Sequence, residues 1–151
     1  MSPNFITNVR LSFIKTRQAL QFTHSALNIY QQLFPADPIK IASYNDAFAN
    51  LTSASNAFIS APFDVHYPSD PILPPNPIFP PNVNNDVIIK LAQNRTLLAI
   101  SRTNDAIKYI NTAISLTDSD AIASLLIGIR AFQEDALVAL EDALPLPIED
   151  E

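Results

Sequence analysis

Apolar side chains recur at alternating spacings of three and four residues through the first 34 positions, a pattern that predicts one face of a long α-helix. Ser2 is placed to cap this helix and Pro3 to begin it. One column of the apolar face is bulky and the other mixes apolar residues with threonine: Ile6, Phe13, Leu20, Leu27 and Phe34, then Val9, Thr16, Thr23 and Tyr30.

The same periodicity predicts three further helices. After a break at "PADP", Asp37 can cap a second helix that reaches about Ala61. Asn84 or Asn85 can cap a third that reaches about Leu116, and "TDSD" at 117–120 precedes a fourth that ends near Leu144. The apolar face expected on the fourth helix consists of Ile122, Leu125, Ile129, Phe132, Ala136 and Ala139.

The first helix resembles the third, and the second resembles the fourth, in sequence as well as in apolar pattern. Positions of the first helix match those of the third at an offset of 80, so that Thr16 falls on Thr96 and Thr23 on Thr103. "IAS" at 41–43 recurs at 122–124, an offset of 81. Heptads alone would align apolar residues but not the threonines, so we expect a duplicated helical hairpin.

A proline-rich segment, residues 62–83, separates the two hairpins and contains eight of the thirteen prolines. In polyproline II conformation it can extend roughly 60 Å, longer than the roughly 38 Å of a 25-residue helix. It can therefore cross the bundle, as in ferritin-like folds, or stay at one end, and we favour the second arrangement. Because it carries apolar side chains, we expect an ordered strap packed on the helices.

These features predict an all-α fold: a single-domain four-helix bundle over 1–151, made of two duplicated hairpins joined by a Pro-rich crossover or strap. The first hairpin spans about 3–61 and the second about 84–144, and residues 145–151 form an acidic tail. The last four residues of this tail, "IEDE" at 148–151, are expected to be disordered.

Threonine on the apolar faces is the most unusual feature of the expected core. Thr16, Thr23, Thr96 and Thr103 either bond back to carbonyls of their own helices or form a polar layer between the first and third helices. Both interpretations place the four side chains in the core.

Composition narrows the classes of function. The chain has no cysteine, one glycine and a net charge of −6, which argues against thiol chemistry, glycine-rich phosphate loops and nucleic-acid binding. No apolar run is long enough for a transmembrane segment. No conventional secretion signal is visible, so a cytoplasmic location is the default expectation.

Metal and catalytic sites are not expected, and no cofactor is predicted. A di-iron bundle needs glutamates on all four helices, whereas the glutamates here are confined to positions 134–151. The two histidines, His24 and His66, follow no glutamate. Paired acids at 134–135 and 141–142 are more typical of a solvated helix face than of acid–base catalysis.

Charge is distributed unevenly along the chain. Residues 1–36 carry three basic residues and no acid, whereas residues 118–151 carry nine acids and one arginine. We expect the acidic fourth helix to lie beside the basic third and first helices, with Arg10, Lys15 and Arg17 offsetting part of its charge. The candidate interaction surface combines acidic side chains with apolar ones of the proline-rich segment: Glu134, Asp135, Glu141, Asp142, Phe63, Tyr67, Ile78 and Phe79.

Three classes of function remain, of which an enzyme or metal protein is the least expected. The first is a non-catalytic structural or protein-interaction module, with a protein partner or self-association, as in a subunit of a larger assembly. The alternative is a binder of a small molecule or lipid that uses a cavity between the hairpins. We expect the first.

Overall fold

The chain is described here by a computed structural model that covers residues 2–34, 37–70 and 75–144. Within these ranges it forms four α-helices and no strand: α1 (Pro3–Leu33), α2 (Pro38–Ser60), α3 (Asn85–Leu116) and α4 (Asp120–Ala143). The all-α four-helix prediction is confirmed. The acidic tail at 145–151, of which residues 148–151 were predicted to be disordered, lies outside the described residues.

Capping side chains begin each helix where the sequence predicts. Ser2 Oγ accepts a hydrogen bond from the Phe5 amide, and Asp37 Oδ1 accepts one from the Lys40 amide. Asn84 caps α3 and Ser119 caps α4. Each cap satisfies an amide that has no partner inside its helix. The hydroxyl of Tyr30 also donates to Asp37, and this bond lowers the pKa of the Asp37 carboxyl.

Two core clusters fix the direction of the helices. At one end, Phe5 and Phe13 of α1 pack with Phe58 of α2, Ile110 of α3 and Leu126 of α4. At the other end, the second half of α1 packs with the start of α2, the start of α3 and the end of α4 through Tyr30, Tyr44, Ile88, Ala92 and Ala143. Hence α1 and α4 run in one direction, and α2 and α3 run in the other.

The prediction that the proline-rich segment stays at one end of the bundle is wrong. Because α2 and α3 point the same way, the end of α2 and the start of α3 lie at opposite ends, and the connection spans the bundle. Arg10 Nε of α1 donates to the His66 carbonyl at 3.1 Å, and Gln32 Nε2, near the far end of α1, donates to the Pro77 carbonyl at 3.1 Å. The described parts of the segment therefore follow α1 from its first turns to its last.

The first half of the segment is held against the bundle by its own side chains and by side chains of the helices. Phe63 is 1% exposed and meets Phe5 edge to face, and the Tyr67 ring lies 4.3 Å from the Phe13 ring. Arg17 reaches Asp70 with two nitrogens, at 2.6 and 2.9 Å, and Ser55 of α2 with the third, at 3.2 Å. Arg17 thus connects α1, α2 and the segment.

Burial along the helices repeats between the hairpins. Val9, Thr16, Ala19, Thr23 and Ala26 of α1 are buried, and so is the residue 80 positions later in each case. In α2 and α4 the buried positions match at an offset of 82, as in Tyr44 with Leu126 and Leu51 with Gln133. The offset of 81 taken from "IAS" is therefore one residue out of register with burial. A common origin by duplication stays a prediction.

The face predicted for α4 is partly wrong. Leu125 and Phe132 are 42% and 37% exposed, whereas the neighbouring residues Leu126 and Gln133 are fully buried. One residue corresponds to a rotation of about 100° around a helix. The buried face is therefore rotated by about one residue, and the polar side chain of Gln133 occupies the core position beside the partly exposed Phe132.

We predict that Asp70→Ala loosens the proline-rich segment, because it removes the pair with Arg17. Proteinase K, which cleaves after many residue types, should then cut within residues 63–70 about threefold faster, since a partly exposed ion pair contributes about 0–1 kcal/mol. The matched control is Asp46→Ala, an exposed carboxylate on α2. Rapid cleavage of the unaltered chain near Tyr67 or Phe79, with the hairpins left intact, would contradict the ordered strap.

Acid should abolish the effect of Asp70→Ala on stability. Arg17 lowers the pKa of Asp70 by hydrogen bonding and by its charge. A carboxyl whose pKa is lower in the folded state stabilises that state above its unfolded pKa, and this contribution is lost as pH falls through the folded pKa. The difference in urea midpoint between the two chains should shrink in that range. A difference that does not change with pH would show that Asp70 acts without its charge.

Candidate functional site

The four predicted threonines lie in the core and bond to their own helices. Each is fully buried, and each hydroxyl donates to the carbonyl four residues earlier at 2.7–2.8 Å. A hydroxyl that bonds in this way can be buried without leaving its hydrogen unpaired. This geometry matches the first of the two readings of the threonines.

Two of the threonines also accept a bond from a second helix. The Tyr44 hydroxyl of α2 lies 2.8 Å from Thr96 Oγ1, and Gln133 Nε2 of α4 donates to Thr16 Oγ1 at 3.1 Å. Burial raises the pKa of Tyr44 to about 12, so its hydroxyl keeps its proton and can donate. These bonds join α2 to α3 and α4 to α1, whereas the sequence suggested a layer between α1 and α3.

Gln133 is a buried residue that sequence reasoning missed. Its Nε2 also donates to Ser12 Oγ at 3.0 Å, and Ser12 Oγ in turn donates to the Ala106 carbonyl of α3 at 2.7 Å. No described protein group bonds to Gln133 Oε1. The match of Gln133 with Leu51 at the offset of 82 shows that the fold also accepts an apolar side chain of similar size at this kind of position.

The predicted interaction surface is divided between the core and the exterior. Glu134, Asp135, Glu141 and Asp142 are exposed on α4, and Ile78 is 92% exposed. Phe79 and Tyr67 are half-buried, and Phe63 is buried, so Phe63 cannot form part of an exposed surface.

The basic residues of α1 do not meet the acids of α4. Arg10 and Arg17 bond to the proline-rich segment instead, and α4 packs mainly on α2 and α3. These charges do not pair because α1 and α4 occupy diagonally opposite corners of the bundle. On α4 itself, Arg130 lies 3.4 Å from Glu134 and donates to Asn111 of α3 at 2.8 Å.

A groove of about 400 Å³ lies beside α1, where residues of both hairpins and of the proline-rich segment meet. Its apolar wall consists of Leu20 and Phe22 of α1, Phe48 of α2 and Pro75 of the segment. Its polar wall comprises Gln21, His24, Ser25, Asn76 and Arg95. A volume of this size falls within the range of about 300–1,000 Å³ that is usual for small-molecule sites.

Three contacts fix the walls of the groove. The Ser25 hydroxyl donates to Asn76 Oδ1 at 2.6 Å, which holds the segment to α1. The rings of His24 and Phe48 are 5.8 Å apart. The guanidinium of Arg102 lies 5.9 Å from the centre of the Phe22 ring, a cation–π arrangement that holds Phe22 from the side of α3.

The described residues contain no group of three or more His, Cys, Asp or Glu side chains placed to hold a metal ion. Of the helices in 2–34, 37–70 and 75–144, none combines the length and hydrophobicity needed to cross a membrane. No protein-family model, curated protein or solved structure matches the chain.

We predict that Gln133→Leu keeps the free energy of unfolding within about 1 kcal/mol of the unaltered protein, or raises it. The substitution loses two hydrogen bonds but also removes a buried carbonyl that no described group pairs with, and such exchanges are often nearly neutral. Ser12 and Thr16 still donate to backbone carbonyls after the change. Urea denaturation measures the difference.

Leu51→Gln is the matched control for Gln133→Leu. It places an amide at the equivalent position of α2 and should cost about 1–3 kcal/mol, because burial of an unpaired polar group is unfavourable. If Gln133→Leu were the more damaging of the two, the polar contacts of Gln133 would be essential to the fold.

Proposed function

We propose that this chain is a non-catalytic protein-interaction module, suited to be a subunit of a larger assembly, and that it binds its partner through the outer face of α4. The observation that supports this proposal is one continuous exposed strip on α4 that contains both carboxylates and apolar side chains. We propose no catalytic role and no cofactor.

Helical spacing brings the members of this strip together. Ile127, Ala131, Glu134, Val138 and Asp142 are all exposed and follow one another at intervals of three or four residues, which places them on one side of the helix. Ile127 and Val138 are 45% and 60% exposed. Apolar side chains among charged ones are typical of the mixed surface by which proteins recognise one another.

The charge of the strip indicates the chemistry of its partner. Residues 118–144 contain six acids and a single basic residue, Arg130, which is already paired with Glu134. A negative field of this kind accelerates association with a basic surface and disfavours acidic ones. A second copy using the same face would bring like charges together, so we propose a different protein with a basic surface.

The groove favours a second function, the binding of a small molecule. Its walls come from α1, α2, α3 and the proline-rich segment, so it lies where the two hairpins and their connection meet. Aromatic and aliphatic side chains next to a few polar groups are the usual lining of such sites.

We predict that a photo-crosslinking amino acid at Val138 captures a protein partner in the native cells, whereas the same group at Leu97 does not. Leu97 is the matched control because it lies on the outer face of α3 and is 52% exposed, similar to Val138. Glu134→Lys combined with Asp135→Lys should reduce capture from Val138 at least about tenfold, since reversed charges repel a basic partner.

Equal capture from Val138 and Leu97, or capture that does not change after the charge reversal, would show that the face of α4 is not the interaction surface. Circular dichroism of the double variant serves as the folding control. Both substituted side chains are exposed, so the helix content should not change.

A further inference from the structure

We infer that the groove beside α1 binds a monocarboxylate with an apolar body, and that Arg95 is the residue that holds the carboxylate. This inference rests on the second proposed function, ligand binding in the groove, and assigns the chemical class of the ligand.

Among the described residues, Arg95 is the arginine that has neither a hydrogen-bonded or ion-pair partner nor an aromatic ring against its guanidinium. Arg10 donates to the His66 carbonyl, Arg17 pairs with Asp70, Arg130 pairs with Glu134, and Arg102 lies over the Phe22 ring. Arg95 makes no hydrogen bond or ion pair within the described ranges, although it is half-buried in the wall of the groove.

A guanidinium in this position favours an anion. Its flat array of N–H groups matches the two oxygens of a carboxylate, and a charge-assisted bond gains strength where apolar walls exclude water. None of the residues described as lining the groove is acidic, so no carboxylate there competes for Arg95.

Asn76 adds a second donor to the groove. Its Oδ1 is occupied by the Ser25 hydroxyl, which leaves its NH₂ group without an acceptor among the described residues. Arg95 and Asn76 belong to α3 and to the proline-rich segment, and together they provide N–H donors at the polar side of the groove.

The remaining lining indicates the rest of the ligand. Leu20, Phe22, Phe48 and Pro75 form an apolar surface that an alkyl chain or an aryl ring would cover. A ligand with several negative charges fits less well, because the protein has a net charge of −6 and the groove contributes a single arginine. The combination therefore selects one carboxylate on an apolar body.

Isothermal titration calorimetry with decanoate and 2-naphthoate tests the inference, and decanol and 2-naphthol serve as uncharged analogues. We expect at least one of the carboxylates to bind the unaltered protein, and its alcohol to bind about tenfold more weakly or worse. Arg95→Gln should weaken carboxylate binding about tenfold or more, and Arg95→Lys should weaken it less. Lys90→Gln, an exposed cation on the same helix, should leave it unchanged.

A tryptophan reporter locates the ligand, because the chain contains no tryptophan. Emission from Phe48→Trp in the groove should change when the carboxylate is added, whereas emission from Phe132→Trp on α4 should not. Thermal unfolding checks that Arg95→Gln is folded. If it is not, the comparisons of acid with alcohol and of Arg95→Lys with Lys90→Gln decide the result.

These experiments distinguish failure of the carboxylate assignment from failure of ligand binding in the groove. If the alcohols bind as tightly as the acids and Arg95→Gln binds normally, the groove binds apolar ligands, and the assignment of a carboxylate is overturned. If neither the acids nor the alcohols change the Phe48→Trp signal or give heat, ligand binding in the groove and the carboxylate assignment both fail.

Discussion

The close packing of α1 against α3 is the interaction on which the rest of the structure depends. It is the most extensive helix contact in the described part of the chain, and alanines on both helices, Ala19, Ala26, Ala99 and Ala106, are completely buried. Short side chains let two helix backbones approach closely. Threonines can share this buried region because their hydroxyls bond within their own helices. The helices α2 and α4 pack on each other and form a second layer, in which α2 contacts α1 and α4 contacts α3.

The antiparallel direction of α1 and α3 has a geometric consequence. The chain must travel from one end of the bundle to the other between α2 and α3, and the described parts of the connecting segment follow the outer surface of α1. Its contacts through Phe63, Tyr67 and Asp70 bring it against α1, and Asn76 then forms one wall of the groove. The groove therefore results from the connectivity of the bundle, whereas the exposed strip of α4 results from its position at the opposite corner.

Local rules in the sequence predicted the helices, the caps at Ser2 and Asp37, and the placement of the four threonines inside. They failed where burial depends on distant partners. Gln133 is buried because its amide donates to hydroxyls 121 and 117 positions earlier in the chain, and residue type alone favoured Phe132. The direction of α3 was also missed, because a proline-rich segment of this length permits either arrangement. The sequence suggested a cavity between the hairpins but not the residues that line the groove, since Phe48, Pro75 and Arg95 share no sequence pattern and come together only in the fold.

The long stretch of sequence between α1 and its main partner, α3, also determines the order in which the chain can fold. During synthesis, α1 and α2 are complete before α3 exists, and their inner faces carry Phe5, Phe13 and Phe58, which need all four helices for full burial. Contacts between positions so far apart in sequence form slowly, and apolar surface exposed during the delay promotes aggregation. The bond between Gln133 and Ser12 can form only after α4 has left the ribosome. The first hairpin therefore stays incompletely buried until α3 and α4 have been made.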